Sequence, residues 1–518
     1  MPQRKALLIW PPVLTSNILP LSIPFLNTYL RAAGRPPVPV FDMNMAYLKT
    51  IQPQWSLYTL LLQASKNLRK AGRTDSGVYR FLDENVSVLL DRMELEGKKS
   101  IPWSLQAILA ARTTAAFPEE KKKVRALLQG ALVKGPFDLV GLSVIYPEQL
   151  FFSLLIADEL KKAMPAARIV AGGPQISKHI DFLTKDREAA RPFDYLVVDD
   201  GQQALLGLLD ATDTAGEAHI PNLYARGPDG MFQSTGKSFR IHPDDYDVPD
   251  FSGFDLSHYH DYFPIMASKG CPWSQCAFCS FCLKDRQFYI AGVDRVVDVM
   301  RGMGKRYGVS NFAFLDDALP TSFMRGLAQV LTERSAPVTW STSIILSRDF
   351  ADPGFCQLLK RSGLSLVSFG LETVVPRLLR LMNKYHLNLD QDEMARILGV
   401  IKGAGIMVAV STFFGFPTET KEEAQQTLDF LVKHIRLFDA IKVQPFCLED
   451  QTLVTQDPRR FGIEKIYFED KSAGRRLGYR FETKEGLTQD EAMRFANFAL
   501  RTVLRAYRTK REAPQKLP

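Results

Sequence analysis

At 518 residues the chain has room for two or three domains with separate cores, and 46% hydrophobic with 24% charged residues is an ordinary globular balance. The longest apolar runs, such as Ala6–Trp10, are far too short to cross a bilayer, which excludes a membrane-spanning helix and sets a cytoplasmic expectation. The net charge of +8 is spread along the chain, with mild basic clusters at 119–125 and 501–516 and no interleaved aromatics, so nucleic acid is not an expected partner.

Arg4 and Lys5 precede an apolar segment that stops at Pro11-Pro12, which predicts a buried first strand and not a secretory signal. A helix over 24–33 ends at Gly34, with Pro near its start and Gly just past its end. A second strand over 38–41, with Asp42 at its carboxyl end, completes a β-α-β unit and implies a parallel sheet. From 45 to 135 the pattern is helical, with runs at 57–71 and 79–95, and is expected to be an insertion. Alternation resumes with strand 138–144, helix 149–164, strand 168–171 ending in Gly172-Gly173-Pro174, and strand 194–198 ending in Asp199-Asp200-Gly201 before helix 202–209. Glycines at such strand ends let a ligand approach the backbone where helix N-termini aim their N–H groups. Tight turns also need these residues without any ligand. Residues 221–262, rich in Gly, Pro, Asp and His, read as a linker; His258 and His260 within it are metal ligands or, more simply, exposed linker histidines.

Four of the six cysteines fall between Ser268 and Cys282. Core packing does not explain thiols so close in sequence. No second Cys/His pair of matching spacing supports a structural zinc site, and nothing else implies the oxidising compartment that disulfides need. Three cysteines holding an iron–sulfur cluster is the reading that fits best, with zinc and an inert Cys-rich loop as the others. A strand at 263–267 precedes them. Strands at 311–315, 338–343, 364–370, 407–413 and 440–445 follow, separated by helices. Six such units predict a partial (β/α)6 barrel of TIM type, open on one side, with its chemistry at the carboxyl ends of the strands. Asp316-Asp317, Gly370-Leu371-Glu372 and Gly415-Phe416-Pro417 lie at those ends. Thr420 with Glu423 makes a capping box, which accounts for Thr420 and not for Gly415 to Pro417. Residues 446–518 read as a helical, loop-rich C-terminal extension; Cys356 and Cys447 read as buried small hydrophobes.

The first half resembles the cobalamin-binding domain of cobalamin-dependent radical S-adenosylmethionine (SAM) enzymes. The resemblance is carried by Trp10-Pro11-Pro12, Leu30 to Gly34, Phe137 to Ser143, Ala171 to Pro174 and Phe193 to Gln203. The Asp-x-His-x-x-Gly signature, whose His ligates cobalt from below, is absent, and none of the seven histidines, His179 included, stands in that context. The second half resembles the radical SAM superfamily. Here the matching pieces are Gly270-Cys271-Pro272, Cys276-Ala277-Phe278-Cys279, Phe314 to Asp317, Phe369 to Glu372, Met382-Asn383-Lys384 and Gly415 to Thr420. Together they cover residues 1–445.

The resemblance implies an α/β chain with a Rossmann-like cobalamin-binding domain at 1–220, a linker at 221–262, a radical SAM core at 263–445 and an extension at 446–518. It implies a 4Fe-4S cluster on Cys271, Cys276 and Cys279, whose open iron binds the amino and carboxylate groups of SAM. Phe278 is implied at the SAM site, Asp316 or Asp317 near the methionine amino group, Glu372 near the ribose and Gly415, Phe416 and Pro417 near the adenine. Pro11, Pro12, Ser143, Gly172, Gly173, Pro174, Asp200 and Gly201 are implied at cobalamin. The cysteine spacing departs from the usual three-then-two: four residues separate Cys271 from Cys276, and two separate Cys276 from Cys279. Cys276, Cys279 and Cys282 form the alternative trio, but Gly270, Pro272 and Phe278 fit the first register, which leaves Cys282 a bystander or a redox thiol. The implied function is methyl transfer to an unactivated carbon of a natural product or peptide, by a 5′-deoxyadenosyl radical and methylcobalamin. An electron donor such as flavodoxin or ferredoxin is the implied partner. Cyclisation or ring contraction is the alternative chemistry, and a non-catalytic cobalamin and iron–sulfur sensor the alternative class.

Overall fold

The computed structural model describes residues 4–13, 19–51, 55–70, 117–132, 135–185, 187–211, 214–280, 287–384, 388–468 and 477–512, with isolated positions between 78 and 109. They form two compact units, residues 1–241 with 245–263, and 242–244 with 264–518.

The first unit is built on seven strands: β1 (Ala6–Trp10), β2 (Val40–Asp42), β3 (Leu139–Ser143), β4 (Arg168–Gly172), β5 (Tyr195–Val197), β6 (Leu223–Arg226) and β7 (Phe232–Ser234). Their order is β2-β1-β3-β4-β5-β6-β7. β1 to β5 pair in parallel. Every residue of β1 and β3 is buried, as expected of strands covered on both faces. Gly141 permits the close pairing of β3 with β1, since an added Cβ would stand 2.6 Å from Leu8 Cδ2. Strand order reverses between β1 and β3, the switch point at whose carboxyl edge such sheets bind ligands. The insertion contributes helices Met43–Ile51, Trp55–Lys70 and Pro118–Leu132; the expected helical run at 79–95 lies outside the described residues.

The linker expected over 221–262 is a correction. Its first part forms β6 and β7, an antiparallel pair that extends the sheet from β5. The physical reason is a hairpin turn at Asp229-Gly230, with Gly230 at φ 81°. The Arg226 guanidinium fixes it by donating to the carbonyls of Phe193 (2.9 Å) and Gly230 (2.5 Å).

The second unit holds β8 (Phe263–Ile265), β11 (Asn311–Phe314), β12 (Thr339–Ser343), β13 (Leu364–Glu372), β14 (Met407–Phe414) and β15 (Ala440–Pro445) in the order β15-β14-β13-β12-β11-β8. β11 to β15 pair in parallel, each with the next. A two-residue pair, β9 (Ser268–Lys269) and β10 (Tyr289–Ile290), stands apart. The strands alternate: Trp340, Thr342, Val367, Phe369, Val408 and Val410 are buried, while Ser341, Ser343, Ser368 and Ser411 are half-exposed. One face is therefore apolar core and the other a small, polar surface.

The extension is more ordered than a helical, loop-rich tail. β16 (Ile463–Tyr467) and β17 (Arg480–Thr483) form an antiparallel hairpin, and helix Gln489–Glu512 follows. That helix buries Ala492, Phe495, Ala496, Ala499 and Val503 against Phe414 and Leu428. Among the described residues no helix is long and apolar enough to cross a membrane.

Candidate cofactor sites

The cysteine loop is clasped at its ends by β9 and β10, with Lys269 opposite Tyr289. Gly270 at φ 78° starts it, and an added Cβ would stand 2.8 Å from the Gln287 carbonyl oxygen, so only glycine fits. Inside the loop Ser274 Oγ donates to the Cys271 carbonyl (2.5 Å) and the Cys279 N–H to that of Cys276 (3.2 Å). Residues 382–384 strap it from outside. Met382 O accepts from Ala277 N (2.8 Å), Asn383 O accepts from Trp273 Nε1 (2.8 Å), and Asn383 Nδ2 donates to the Gln275 carbonyl (2.7 Å). From the extension, Val454 N donates to Ala277 O (3.2 Å), and Ser280 Oγ donates to Glu449 Oε2 (2.7 Å).

This framework brings Cys271, Cys276 and Cys279 to one cavity of about 240 Å³, shared with Trp273, Phe278, Asp317, Glu372, Lys384 and Ser411. Cys282 lies outside the described residues. Among the described residues no three His, Cys, Asp or Glu side chains are grouped as the ligands of a single metal ion would be. The thiols stand around a cavity, and a three-thiolate set around a cavity fits a multi-iron cluster with one iron left open. Burial pushes the Cys276 thiol up to about 12; Lys384 opposes this, while Cys279 and Cys271 reinforce it. The bound metal's charge is what makes such a thiol a thiolate.

At the carboxyl end of β13, Glu372 adopts φ 56° after a bulge, and its carbonyl accepts from Thr412 Oγ1 (2.6 Å). Its carboxylate meets Lys384 Nζ at 2.7 Å, with both side chains nearly buried. Of the two aspartates, Asp317 lines the cavity and Asp316 does not. The buried Asp316 carboxylate turns back to accept from Ala267 N (3.1 Å), Ser268 N and Ser268 Oγ (2.5 Å each), so it holds the turn from β8 to β9. Burial raises it to about 6 against those hydrogen bonds. Gly415, Phe416 and Pro417 are buried away from this cavity. Gly415, at φ 87°, makes room for the C-terminal helix: an added Cβ would stand 2.2 Å from Ala492 Cβ. Phe416 packs with Phe446 and Phe461, and the Phe278 ring meets Phe413 at 5.1 Å. Trp273, Lys384 and Ser411 line the cavity in addition to the residues that the resemblance implies. Lys384 is legible in the sequence, because it ends the Met382-Asn383-Lys384 segment.

In the first unit the residues expected at cobalamin gather at the carboxyl ends of β1, β3, β4 and β5. Pro11 and Pro12 are buried, and the Pro11 carbonyl accepts from Gln149 Nε2 (2.8 Å). Beside them Asn44 accepts from Val13 N (2.9 Å), and Asp42, raised to about 6 by burial, accepts from Tyr259 Oη (2.7 Å). Ser143 Oγ lies 2.8 Å from Ser22 Oγ. Gly173 at φ 115°, ψ 175° occupies a region reserved for glycine, and an added Cβ would stand 2.7 Å from the Val144 carbonyl oxygen. Gly172 ends β4, and Pro174 opens helix Pro174–Lys178. Gly201 precedes helix Gln202–Asp210, and the Asp200 carboxylate accepts from Ile241 N (2.9 Å). Three buried polar atoms near these strand ends have no hydrogen-bond partner: Trp10 Nε1, Gln175 Oε1 and Gln202 Oε1. A ligand with both amide donors and acceptors at its rim answers this set; cobalamin, fringed with amides, fits it. His258 pairs with Asp255 at 2.9 Å, and neither it nor His260 joins a metal-binding group among the described residues.

Residues 265–431 match the Radical SAM superfamily. An uncharacterized methyltransferase of Pyrococcus horikoshii is 23% identical over 57% of this chain and 64% of its own length. The bacteriochlorophyllide d C-12(1)-methyltransferase of Chlorobaculum tepidum is 32% identical over 36% of this chain and 41% of its own. The match thus spans less than two thirds of either relative. Among solved structures, the radical SAM methyltransferase TsrM of Kitasatospora setae superposes with a TM-score of 0.61 over 95% of this chain and 83% of that one, at 17% identity. The segment that carries the cysteine loop and most of the six-stranded sheet thus matches the Radical SAM superfamily, and the chain shares the fold of TsrM.

Proposed function

We propose that the chain is a cobalamin-dependent radical SAM methyltransferase acting on an unactivated carbon of a small molecule or peptide. The observation that carries this is the single cavity holding Cys271, Cys276 and Cys279 beside Asp317 and Glu372, inside the matched radical SAM segment. The fold of TsrM, solved with cobalamin and a [4Fe-4S] cluster and also with tryptophan and a SAM analogue, supports the same reading.

Cys271, Cys276 and Cys279 would hold the cluster, and the carboxyl edge of β1, β3, β4 and β5 would hold cobalamin. When bound, these groups supply the electron that cleaves SAM homolytically and the carrier for the methyl group. The chain's own part is positioning. Asp317 offers a carboxylate to an ammonium group, and Glu372 offers one to ribose hydroxyls. Ser411 and its half-exposed neighbours leave a small, polar surface for the substrate. An external electron donor, such as a flavodoxin or ferredoxin, belongs to this reading, as does a cytoplasmic site of action.

The test uses anaerobically reconstituted protein and SAM carrying a labelled methyl group, offered with panels of small molecules and peptides. Labelled methyl in product, with S-adenosylhomocysteine and 5′-deoxyadenosine formed together, is the expected result. Turnover of SAM to 5′-deoxyadenosine with no methyl gained by any product would overturn methyl transfer in favour of cyclisation or rearrangement.

A further inference from the structure

We infer that Lys384 is the positioning residue for Glu372, and that the strap 382–384 binds the cysteine loop and the SAM-facing carboxylate into one mechanical unit. The inference rests on the radical SAM reading of the cavity and adds a residue with no role in it so far.

Three observations converge. Lys384 Nζ and Glu372 Oε1 stand 2.7 Å apart, with side-chain exposures of only 13% and 10%. A charge pair so far from water is directional, because neither partner has solvent to fall back on. The wall is also shaped around the pair. A Cβ at Gly370 would come within 2.0 Å of Glu372 Oε1 and 2.6 Å of Lys384 Nζ, so both side-chain ends pass close over β13 at this glycine. Finally, the backbone is unusual at Glu372 and just before Lys384. Glu372 sits at φ 56° beyond a bulge, and Lys384 follows Asn383 at φ 55°.

The strap divides its work by atom type. Met382 and Asn383 hold the cysteine loop through the main chain and the Asn383 amide. Lys384 alone reaches across to Glu372, passing 5.9 Å from the Phe278 ring centroid. The ammonium holds Glu372 Oε1, which restricts the orientation of a carboxylate that lines the cavity. Removing the cation releases Glu372 and leaves the loop's own hydrogen bonds intact.

The experiment measures SAM affinity by equilibrium dialysis on cluster-loaded protein, with iron content and the SAM-induced change in the reduced-cluster EPR spectrum as independent readouts. Lys384→Met is expected to retain iron, to weaken SAM binding at least about tenfold as a charge-assisted contact is lost, and to blunt the spectral change. Lys384→Arg, which keeps the cation, should restore most of the affinity. Glu372→Gln combined with Lys384→Met should bind no more weakly than Glu372→Gln alone, since both act through one carboxylate. Wild-type affinity in Lys384→Met, iron lost with the cation, or additive losses in the double variant would each overturn the inference. A wild-type protein whose cluster ignores SAM would instead refute the radical SAM reading of the site.

Discussion

The two units present contrasting kinds of site. In the second unit, chemically specific side chains converge: three thiols, Asp317 and the Glu372–Lys384 pair share one cavity. In the first, backbone and shape dominate, through glycine at φ 115°, prolines at the end of β1, and three polar atoms left without partners. Thiolates and carboxylates give a reactive group its ligands and charges, whereas an edge of strand ends cradles a large preformed ligand by surface. The contrast teaches that substitutions should act differently in the two units. In the second they should delete a function while the fold survives. In the first they should weaken fold and ligand binding together.

The largest effect belongs to the thiols. Cys271→Ala, Cys276→Ala and Cys279→Ala should each abolish the iron–sulfur absorption of reconstituted protein, while Cys282→Ala keeps it. Loss in Cys282→Ala with retention in Cys271→Ala would move the cluster to the other trio. Next is Gly173→Ala in the first unit, which forces an L-residue into a glycine-only conformation against Val144. Its cost should be about 1–3 kcal/mol in denaturant unfolding, with cobalamin affinity falling in parallel. A stable variant with normal cobalamin binding would break the proposed link between fold and ligand.

The most conditional effect is a pH dependence, which shows only inside a limited pH window. Glu419 is buried, with the Gly415 N–H donating to one carboxylate oxygen and no partner on the other, and burial raises it from 4.5 to about 8. Between those values the folded chain keeps a proton that the unfolded chain has released, so this group makes stability fall as pH rises through the window. Glu419→Gln lacks that dependence. Its stability relative to wild type should rise with pH from about 5 to about 8, by at most ~1.4 kcal/mol per pH unit. A difference independent of pH, followed by thermal melts, would show that Glu419 is ionised throughout.

Much of this was legible in the sequence, and the gaps have physical causes. The six strand–helix units and the cysteine loop show through because hydrophobic periodicity and thiol clustering are local signals. The β6–β7 hairpin was hidden in a stretch whose Gly, Pro and Asp content resembles a linker, although Asp229-Gly230 is itself a hairpin signal. Asp316 and Asp317 could not be separated, since neighbours at a strand end face opposite ways and only the fold decides which one enters the cavity. Gly415 to Pro417 lie outside the cysteine cavity, and the C-terminal helix, far along the chain, packs directly against Gly415. Contacts so distant in sequence leave no local trace. Lys384 was visible as part of a motif, and only the coordinates connect it to Glu372.

The most direct test of the central claim is the EPR spectrum of the dithionite-reduced, anaerobically reconstituted protein with and without SAM, taken together with a cobalamin-binding titration. The expected outcome is a 4Fe-4S signal that changes when SAM is added, with stoichiometric cobalamin bound to the same chain. A cluster signal indifferent to SAM, on a chain that binds no cobalamin, would contradict it.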